Sequence, residues 1–335
     1  MHTQFWKSDY TLHHRAAYCF GVHTTSTRTA KQENGNDENL KGYYLSDGST
    51  FISSNGGEYL NISPVWDWSM IPGVTAPYLK ELPIRKAWGF NFGTTTFSGG
   101  VSDSLYGAAA LDFNDYNTRI RKAWFFFDDE VVCLGAGLSS TAGENIYTTV
   151  NQCLQQGKVR TSGGKQLQWL THDGISYYFP AADARYSTEK QTGDWYSINK
   201  NGTKETQEKE VFKLWIDHGK QPADKGYVYY VIPGKNMDQY DTKAVRVLQN
   251  SADIQAVLHT KLNILQVVFY KAGTFKNGDI SITVDRGCVL MVRDNVLSIA
   301  DPAQSELPVQ VVLQQQRINC VLPKGPYAGA QRSSI

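Results

Sequence analysis

The sequence predicts an all-β protein in which antiparallel sheets pack face to face. Short runs of β-branched and aromatic residues recur along the chain, bounded by Gly, Asn, Asp or Pro. Amphipathic helical patterns are scarce. Aromatic residues make up 12% of the 335 residues and charged residues only 19%, a composition typical of sheets that carry rings on their faces. A chain of this length can build one large or two ordinary domains with proper cores.

The segments that predict strands follow one another through most of the chain. In order they cover residues 122–138, 211–219, 226–234, 264–273, 279–284, 288–300 and 309–316. Their short lengths and frequent turn residues are typical of sandwiches. The best helical candidate, 252–260, is short, and it either caps a sandwich or forms a further strand. The glycines of 135–140 predict a turn between strands, because the spacing of a phosphate-binding loop is incomplete.

A change in composition divides the chain in two. Up to about Pro233 the segments are long, aromatic and interrupted by loops. After the polar link 234–244 the strands become short and regular. We therefore expect a large β-domain over residues 1–240 and a small β-sandwich over residues 241–335.

Charge and cysteine content exclude several classes of function. The net charge of +1 favours neither a nucleic-acid partner nor a membrane surface. No apolar run approaches the roughly 18 residues of a membrane span, and the first residues lack the pattern of a signal peptide. The five cysteines are scattered and, like the seven histidines, lack metal-ligand spacing. The cysteines predict small buried side chains. The sequence leaves open whether two of them form a disulfide.

One stretch, from Glu33 to Trp88, combines residue types that fit a chemical task. It joins a loop rich in acids and amides to a cluster of tryptophans. Elimination across the glycosidic bond of a uronic acid requires removal of the proton next to a carboxylate, whose charge must first be neutralised. An asparagine or an arginine can do this, a tyrosine or histidine can act as base and acid, and a glutamate can hold the arginine and tyrosine in place. The stretch therefore predicts a site for an acidic polysaccharide.

The chain closely resembles polysaccharide lyase family 8, and within it the chondroitin AC lyases more than the hyaluronate or xanthan lyases. The resemblance covers almost the whole chain, with the same motifs in the same order. These motifs are ENGNDENLKGYYLSDGST from Glu33, YLNISPVWDWSMIPGVT from Tyr59, SGGVSDSLYGAAALDF from Ser98, RKAWFFFDDEVVCLGAGL from Arg121, YYFP from Tyr177, DWYSIN from Asp194, VFKLWIDHG from Val211 and YVIPG from Tyr230.

The resemblance implies a domain order. Members of the family have an N-terminal α/α toroid, a central antiparallel super-β-sandwich and a C-terminal β-sandwich, and this chain resembles the last two only. The residues that transfer the proton belong to the toroid. We therefore expect a fragment or partial gene product that is inactive alone, acts on chondroitin sulfate or hyaluronan together with a toroid, and comes from a periplasmic or secreted parent protein.

The resemblance also implies roles for single residues. Glu33 corresponds to a supporting glutamate that orients the catalytic arginine and tyrosine. Asn36 corresponds to an asparagine that contacts substrate, and Trp88 to a tryptophan on which sugar rings pack. The neighbours Glu38 and Asn39 have no assigned role beyond support of the loop.

A calcium site of the family is degraded in this sequence. The resemblance places metal ligands at Asp67 and Tyr78, but Ser69 stands where a second acid is expected, and Pro77 replaces the aspartate of a later Asp-Tyr pair. Because Ca²⁺ needs several oxygen ligands, we expect weak or absent binding of calcium and no required cofactor.

Two other readings remain open. The chain could be a binding module that holds acidic polysaccharide without cleaving it, or a subunit that docks onto a separately encoded toroid. Most tryptophans do not distinguish these hypotheses, because they lie in segments that predict alternating strands and are expected to pack in the core. These are Trp66, Trp68, Trp124, Trp169, Trp195 and Trp215.

Overall fold

The computed structural model describes residues 1–164, 166–181 and 183–334, which form antiparallel strands and three single-turn 3₁₀ helices. The strands of the first part are β1 His2–Phe5, β2 Tyr10–His14, β3 Cys19–His23, β4 Ser49–Ser53, β5 Thr75–Pro77, β6 Ser98–Ser102, β7 Gly107–Asp115, β8 Thr118–Phe126, β9 Val131–Ser140, β10 Asn145–Leu154, β11 Arg160–Thr161, β12 Trp169–His172, β13 Ile175–Tyr178, β14 Ala184–Gly193, β15 Gln207–Lys220 and β16 Lys225–Pro233.

The second part continues the same pattern with shorter strands. They are β17 Val245–Asn250, β18 Ile254–His259, β19 Ile264–Phe269, β20 Gly273–Asn277, β21 Ile280–Val284, β22 Cys288–Arg293, β23 Val296–Ala300, β24 Val309–Leu313, β25 Gln316–Cys320 and β26 Arg332–Ser334. The 3₁₀ helices cover Ser63–Val65, Met237–Gln239 and Gly325–Tyr327. The helical candidate 252–260 is the strand β18.

The strands form five sheets that stack in layers. An eight-stranded sheet, in the order β11-β12-β13-β16-β9-β8-β7-β6, faces two four-stranded sheets, β1-β2-β3-β4 and β14-β15-β10-β5, across one core. Its other face packs on the six-stranded sheet β17-β18-β19-β22-β23-β26 through a second core. The six-stranded sheet and the sheet β20-β21-β24-β25 enclose a third. This arrangement confirms the predicted super-β-sandwich followed by a C-terminal β-sandwich.

The apolar run of β8 follows from the position of the eight-stranded sheet between two cores. Successive side chains of a strand point to opposite faces. Trp124 and Phe126 enter the first core, whereas Ala123 and Phe125 enter the second. Because both faces are buried there, residues 123–126 of the strand form a continuous apolar run instead of alternating.

Several segments that the sequence predicts as single strands or turns have a different structure. The segment 122–138 is a hairpin of β8 and β9, and 288–300 is a hairpin whose two-residue turn has Asp294 and Asn295 at φ 51° and 64°. The predicted turn at 135–140 is wrong, because these residues complete β9. Gly137, at φ 68°, lies where the β8–β9 register shifts. A β-bulge and a turn can both require a glycine, so the sequence alone does not distinguish them.

The cysteines and tryptophans follow the expectations from composition in part. The five cysteines are free, four of them buried and Cys19 half-buried. Trp124 is fully buried and Trp68 nearly so, while the other four tryptophans predicted to pack in the core are half-buried. Among the described residues, no helix has the length and hydrophobicity that crossing a bilayer requires.

Candidate functional site

The residues predicted to bind saccharide lie on a loop of unusual backbone conformation. Asn36 and Asp37 adopt φ values of 51° and 57°, and the Glu38 amide donates to the Gly35 carbonyl at 2.9 Å. This closes a tight turn with two consecutive left-handed residues. Asn and Asp tolerate that region better than other non-glycine residues. The amide-rich sequence of the loop therefore has a local cause as well as a chemical one.

Two hydrogen bonds tie this loop to the segment that carries Trp88. The Asn34 side-chain amide donates to the Arg85 carbonyl at 2.8 Å, and the Trp88 backbone amide donates to the Asn34 carbonyl at 2.7 Å. Within the loop, the Asn39 side-chain amide donates to the Glu33 carbonyl at 2.7 Å. Asn39 therefore supports the loop.

The Trp88 indole lies against Gly35. A Cβ at Gly35 would stand 2.6 Å from two carbons of the indole ring, closer than atoms can approach. Trp88 itself has a φ of 57° and is 64% exposed. A large apolar ring held in a strained conformation and turned to solvent is costly, and such features cluster at functional sites.

The structure thus brings Glu33, Asn36 and Trp88 to one surface, with all three side chains exposed. Together they offer a carboxylate, a carboxamide and an indole face. These groups can exchange hydrogen bonds with a sugar and stack on its ring, whereas proton abstraction at carbon requires a further base. Asn34 and Arg85 were missed from sequence, although Asn34 lies within the first motif that carries the resemblance and Arg85 lies three positions before Trp88.

Asp67 and Tyr78 lie apart from this loop, in a cleft of about 530 Å³ that also includes Ser69. The Asp67 carboxylate accepts hydrogen bonds from the Ser69 backbone amide at 3.1 Å and from the Tyr78 hydroxyl at 3.3 Å. The Lys213 ammonium stands 3.9 Å from the same carboxylate. Burial raises the pKa of Asp67, and Lys213 acts in the opposite direction.

This donor set does not fit calcium. The Ca²⁺ ion takes about six to eight oxygen ligands, but Asp67 faces an ammonium and two hydrogen-bond donors. The Ser69 hydroxyl oxygen already accepts a hydrogen bond from the Leu79 backbone amide at 2.7 Å. Among the described residues, no group of three or more His, Cys, Asp or Glu side chains could hold a metal ion.

The cleft and the exposed loop are joined through the backbone. The Leu40 amide donates to the Ile198 carbonyl and the Lys200 amide to the Asp37 carbonyl, both at 2.9 Å. Leu40 and Lys200 also line the cleft. The loop is therefore braced on this side by the turn around residue 198 and on the other side by the Trp88 segment.

The chain belongs to polysaccharide lyase family 8. Residues 1–244 match the model of the family's super-sandwich domain, and residues 246–310 match that of its C-terminal β-sandwich domain. The chain is similar to chondroitinase-AC of Pedobacter heparinus, with 42% identity over 98% of this chain and 51% of the relative. It is also 31% identical to a hyaluronate lyase of Thermasporomyces composti, over 92% of this chain and 43% of the relative.

A solved structure agrees with these matches. A chondroitinase AC lyase whose active site was defined from oligosaccharide complexes superposes with a TM-score of 0.95 at 41% identity, over 99% of this chain and 53% of that one. The chain thus spans about half the length of the relatives it matches.

Proposed function

We propose that this chain is the β-domain portion of a lyase that cleaves glycosaminoglycans by β-elimination at uronic acid residues. The observation that carries the proposal is the common exposed surface of Glu33, Asn36 and Trp88, in a chain of this family. The surface forms one wall of a cleft, and the half of the relatives that this chain does not match supplies the other.

Each of the three residues has a separate task in this proposal. The Asn36 amide contacts the saccharide by hydrogen bonds, whereas the groups that neutralise the uronate carboxylate as the neighbouring proton leaves belong to the opposite wall. The Trp88 indole packs against a sugar ring. The Glu33 carboxylate accepts hydrogen bonds from an arginine and a tyrosine of the opposite wall, and thereby orients the groups that move the proton.

The substrate class follows from the relatives. Chondroitin is favoured over hyaluronan because the identity to a chondroitinase-AC, 42%, exceeds the 31% to a hyaluronate lyase. We further propose that the opposite wall is an α/α toroid. As the family resemblance implies, we also propose that the parent protein is periplasmic or secreted.

An exposed apolar segment beside Trp88 favours a second half docked on this face. Ile84 is 65% exposed and Phe90 82%, with the Phe90 ring stacked on Phe92. Patches of this kind mark interaction surfaces. Docking would bury the segment beside the saccharide.

The test combines this chain with the half of Pedobacter heparinus chondroitinase-AC that it does not match, as one hybrid chain, and follows unsaturated product from chondroitin by ultraviolet absorbance. We expect product from the hybrid and none from this chain alone. Glu33→Gln in the hybrid should lower kcat by roughly 10–100-fold, the usual effect of losing an orienting partner.

Three outcomes would contradict the proposal. Product from the isolated chain would show that a base and an acid lie within it. Full activity of the Glu33→Gln hybrid would remove the role of Glu33. A hybrid without activity, together with tight binding of chondroitin by the isolated chain in titration calorimetry, would favour the non-catalytic binding module.

A further inference from the structure

Beneath the exposed loop lies a buried group of charged and phenolic side chains that the proposed chemistry does not use. Lys31 and Asp47 form an ion pair of 2.7 Å, with side chains 2% and 0% exposed. The Lys31 ammonium also donates to Asp115 at 2.8 Å and to the Tyr116 hydroxyl at 3.0 Å. The ammonium thus contacts two carboxylates and one hydroxyl.

The Tyr116 hydroxyl is the point at which this group meets the Trp88 segment. It donates to Asp47 at 2.7 Å and accepts from the Arg85 guanidinium at 2.5 Å. Arg85 also donates to the Tyr43 carbonyl at 2.9 Å and lies 4.3 Å above the centre of the Tyr43 ring. The Tyr116 hydroxyl thus accepts hydrogen bonds from two cations, Lys31 and Arg85, which belong to the two different segments.

The two cations lie directly beside the two site segments. Lys31 precedes Glu33 by two positions, and Arg85 precedes Trp88 by three. The Lys31 backbone amide also donates to the Asn91 carbonyl at 2.7 Å, beyond Trp88. A shift of either cation would therefore move a residue of the exposed surface.

Tyr116 adopts this position at a conformational cost. It is the first residue of the two-residue turn between β7 and β8, with φ 54°. That position of a hairpin favours Asn, Asp or Gly, and a bulky residue there is an outlier. Burial of the Lys31–Asp47 pair is costly as well, and a buried ion pair is weak evidence for stability alone. Both costs are concentrated beneath the saccharide surface.

We propose that Tyr116 is a positioning residue that holds the Glu33–Asn36 loop and Trp88 at a fixed spacing, through Lys31 and Arg85. The inference rests on the proposed function only in taking that surface as the site of saccharide binding. The hairpin tip acts as a clamp, because its hydroxyl bonds to groups from both segments. Its loss frees the two segments to move relative to each other.

The test uses Tyr116→Phe, which keeps the ring and removes the clamp hydroxyl. The matched control is Tyr270→Phe, which removes a buried hydroxyl whose oxygen lies 2.8 Å from the Lys122 backbone carbonyl and 2.7 Å from the Gln255 side-chain carbonyl, the two acceptors for its proton. The chain is labelled with 5-fluorotryptophan, and the fluorine resonance of Trp88 is assigned from Trp88→Phe. We expect Tyr116→Phe to shift or broaden that resonance and Tyr270→Phe to leave it unchanged.

Binding of a chondroitin oligosaccharide, measured by titration calorimetry, is the second readout. We expect Tyr116→Phe to weaken it roughly tenfold and Tyr270→Phe to leave it unchanged, since small misplacements of binding groups have large effects. An unchanged Trp88 resonance in Tyr116→Phe would overturn the inference. A shifted Trp88 resonance in Tyr116→Phe together with an unchanged affinity for the oligosaccharide would also overturn it. If neither the wild-type chain nor the wild-type hybrid binds the oligosaccharide, the proposed function fails on that readout, and the Trp88 resonance alone decides on the clamp.

Discussion

At the scale of single residues, the exposed surface depends on the absence of one side chain. Gly35 gives the Trp88 indole room to lie flat on the loop, because a Cβ there would stand 2.6 Å from the ring. The glycine does not need a left-handed backbone at this position. It is needed for the close approach of an aromatic ring.

Gly35→Ala is expected to displace the Trp88 indole and weaken binding of a chondroitin oligosaccharide roughly tenfold, about 1.4 kcal/mol. The matched control is Gly143→Ala, because a Cβ at Gly143 meets no atom within 4 Å. Titration calorimetry of both variants checks the prediction. Equal affinities for the two variants would contradict it.

A second residue-scale prediction concerns Asp67. Because Lys213 provides the positive charge near its carboxylate, a chelator should leave the thermal midpoint of the chain unchanged, and added calcium should not raise it. Lys213→Met should lower the free energy of unfolding by about 1 kcal/mol. A calcium-dependent rise in the thermal midpoint of the wild-type chain would contradict the conclusion that the Asp67 site does not bind calcium.

At the scale of elements, the bulge in β9 connects the two parts of the chain. Gly137 lies at the bulge, and a Cβ on it would stand 2.8 Å from the Cβ of Ala252. Arg121, on the neighbouring strand, donates to the Ala252 carbonyl and lies 3.4 Å from Asp253. The bulge therefore forms part of the contact with the C-terminal sheets.

Gly137→Ala is expected to destabilise the chain more than Gly219→Ala does. Both positions have positive φ, 68° and 75°, but only Gly137 has a neighbour within 4 Å of an added Cβ. The backbone conformation costs about 1 kcal/mol at either site, and the contact with Ala252 adds about 1–3 kcal/mol. Urea denaturation of the two variants measures the difference. Equal losses in the free energy of unfolding of the two variants would show that the contact with Ala252 relaxes.

At the scale of the whole molecule, the eight-stranded sheet shares one apolar core with the six-stranded sheet. Phe125 and Val132 from the first part meet Val257 and Val268 from the second in that core. We propose a boundary between two domains near residue 240, as the composition predicts. Its two sides nevertheless bury each other's apolar surface, which is the dominant favourable contribution to folding.

The shared core predicts a single unfolding transition. In scanning calorimetry the two parts should unfold together, because separation would expose the fully buried side chains of the second core. Two resolved transitions, or a stable C-terminal fragment after limited proteolysis near residue 240, would contradict this expectation.

Buried histidines predict a loss of stability in mild acid. Burial lowers the pKa of His13 to about 3 and of His172 and His218 to about 4, and it lowers that of His2 well below its usual value. The unfolded chain binds protons near pH 6.5, so stability is complete above that pH and is lost as the pH falls. Each group costs about 1.4 kcal/mol per pH unit below 6.5 until its folded pKa is reached.

Urea denaturation at pH 7.5 and 5.5 checks this expectation. His172→Gln removes one of the buried titrating groups and should reduce the loss between the two pH values by about 1.4 kcal/mol. His14→Gln, at an exposed position, serves as the control. Identical pH dependence in the wild type and His172→Gln would contradict the assignment.

The sequence by itself determined the fold class, the order of the two sandwiches and the family, because β-branched runs, turn residues and long motifs are local features. It also indicated Glu33, Asn36 and Trp88 as candidate site residues. Only the tertiary structure revealed the bulge at Gly137 and the clamp of Lys31, Asp47, Tyr116 and Arg85. Tyr116 lies 85 positions from Lys31 and 31 from Arg85. Contacts at such separations depend on strand pairing and the packing of layers, for which no local pattern exists.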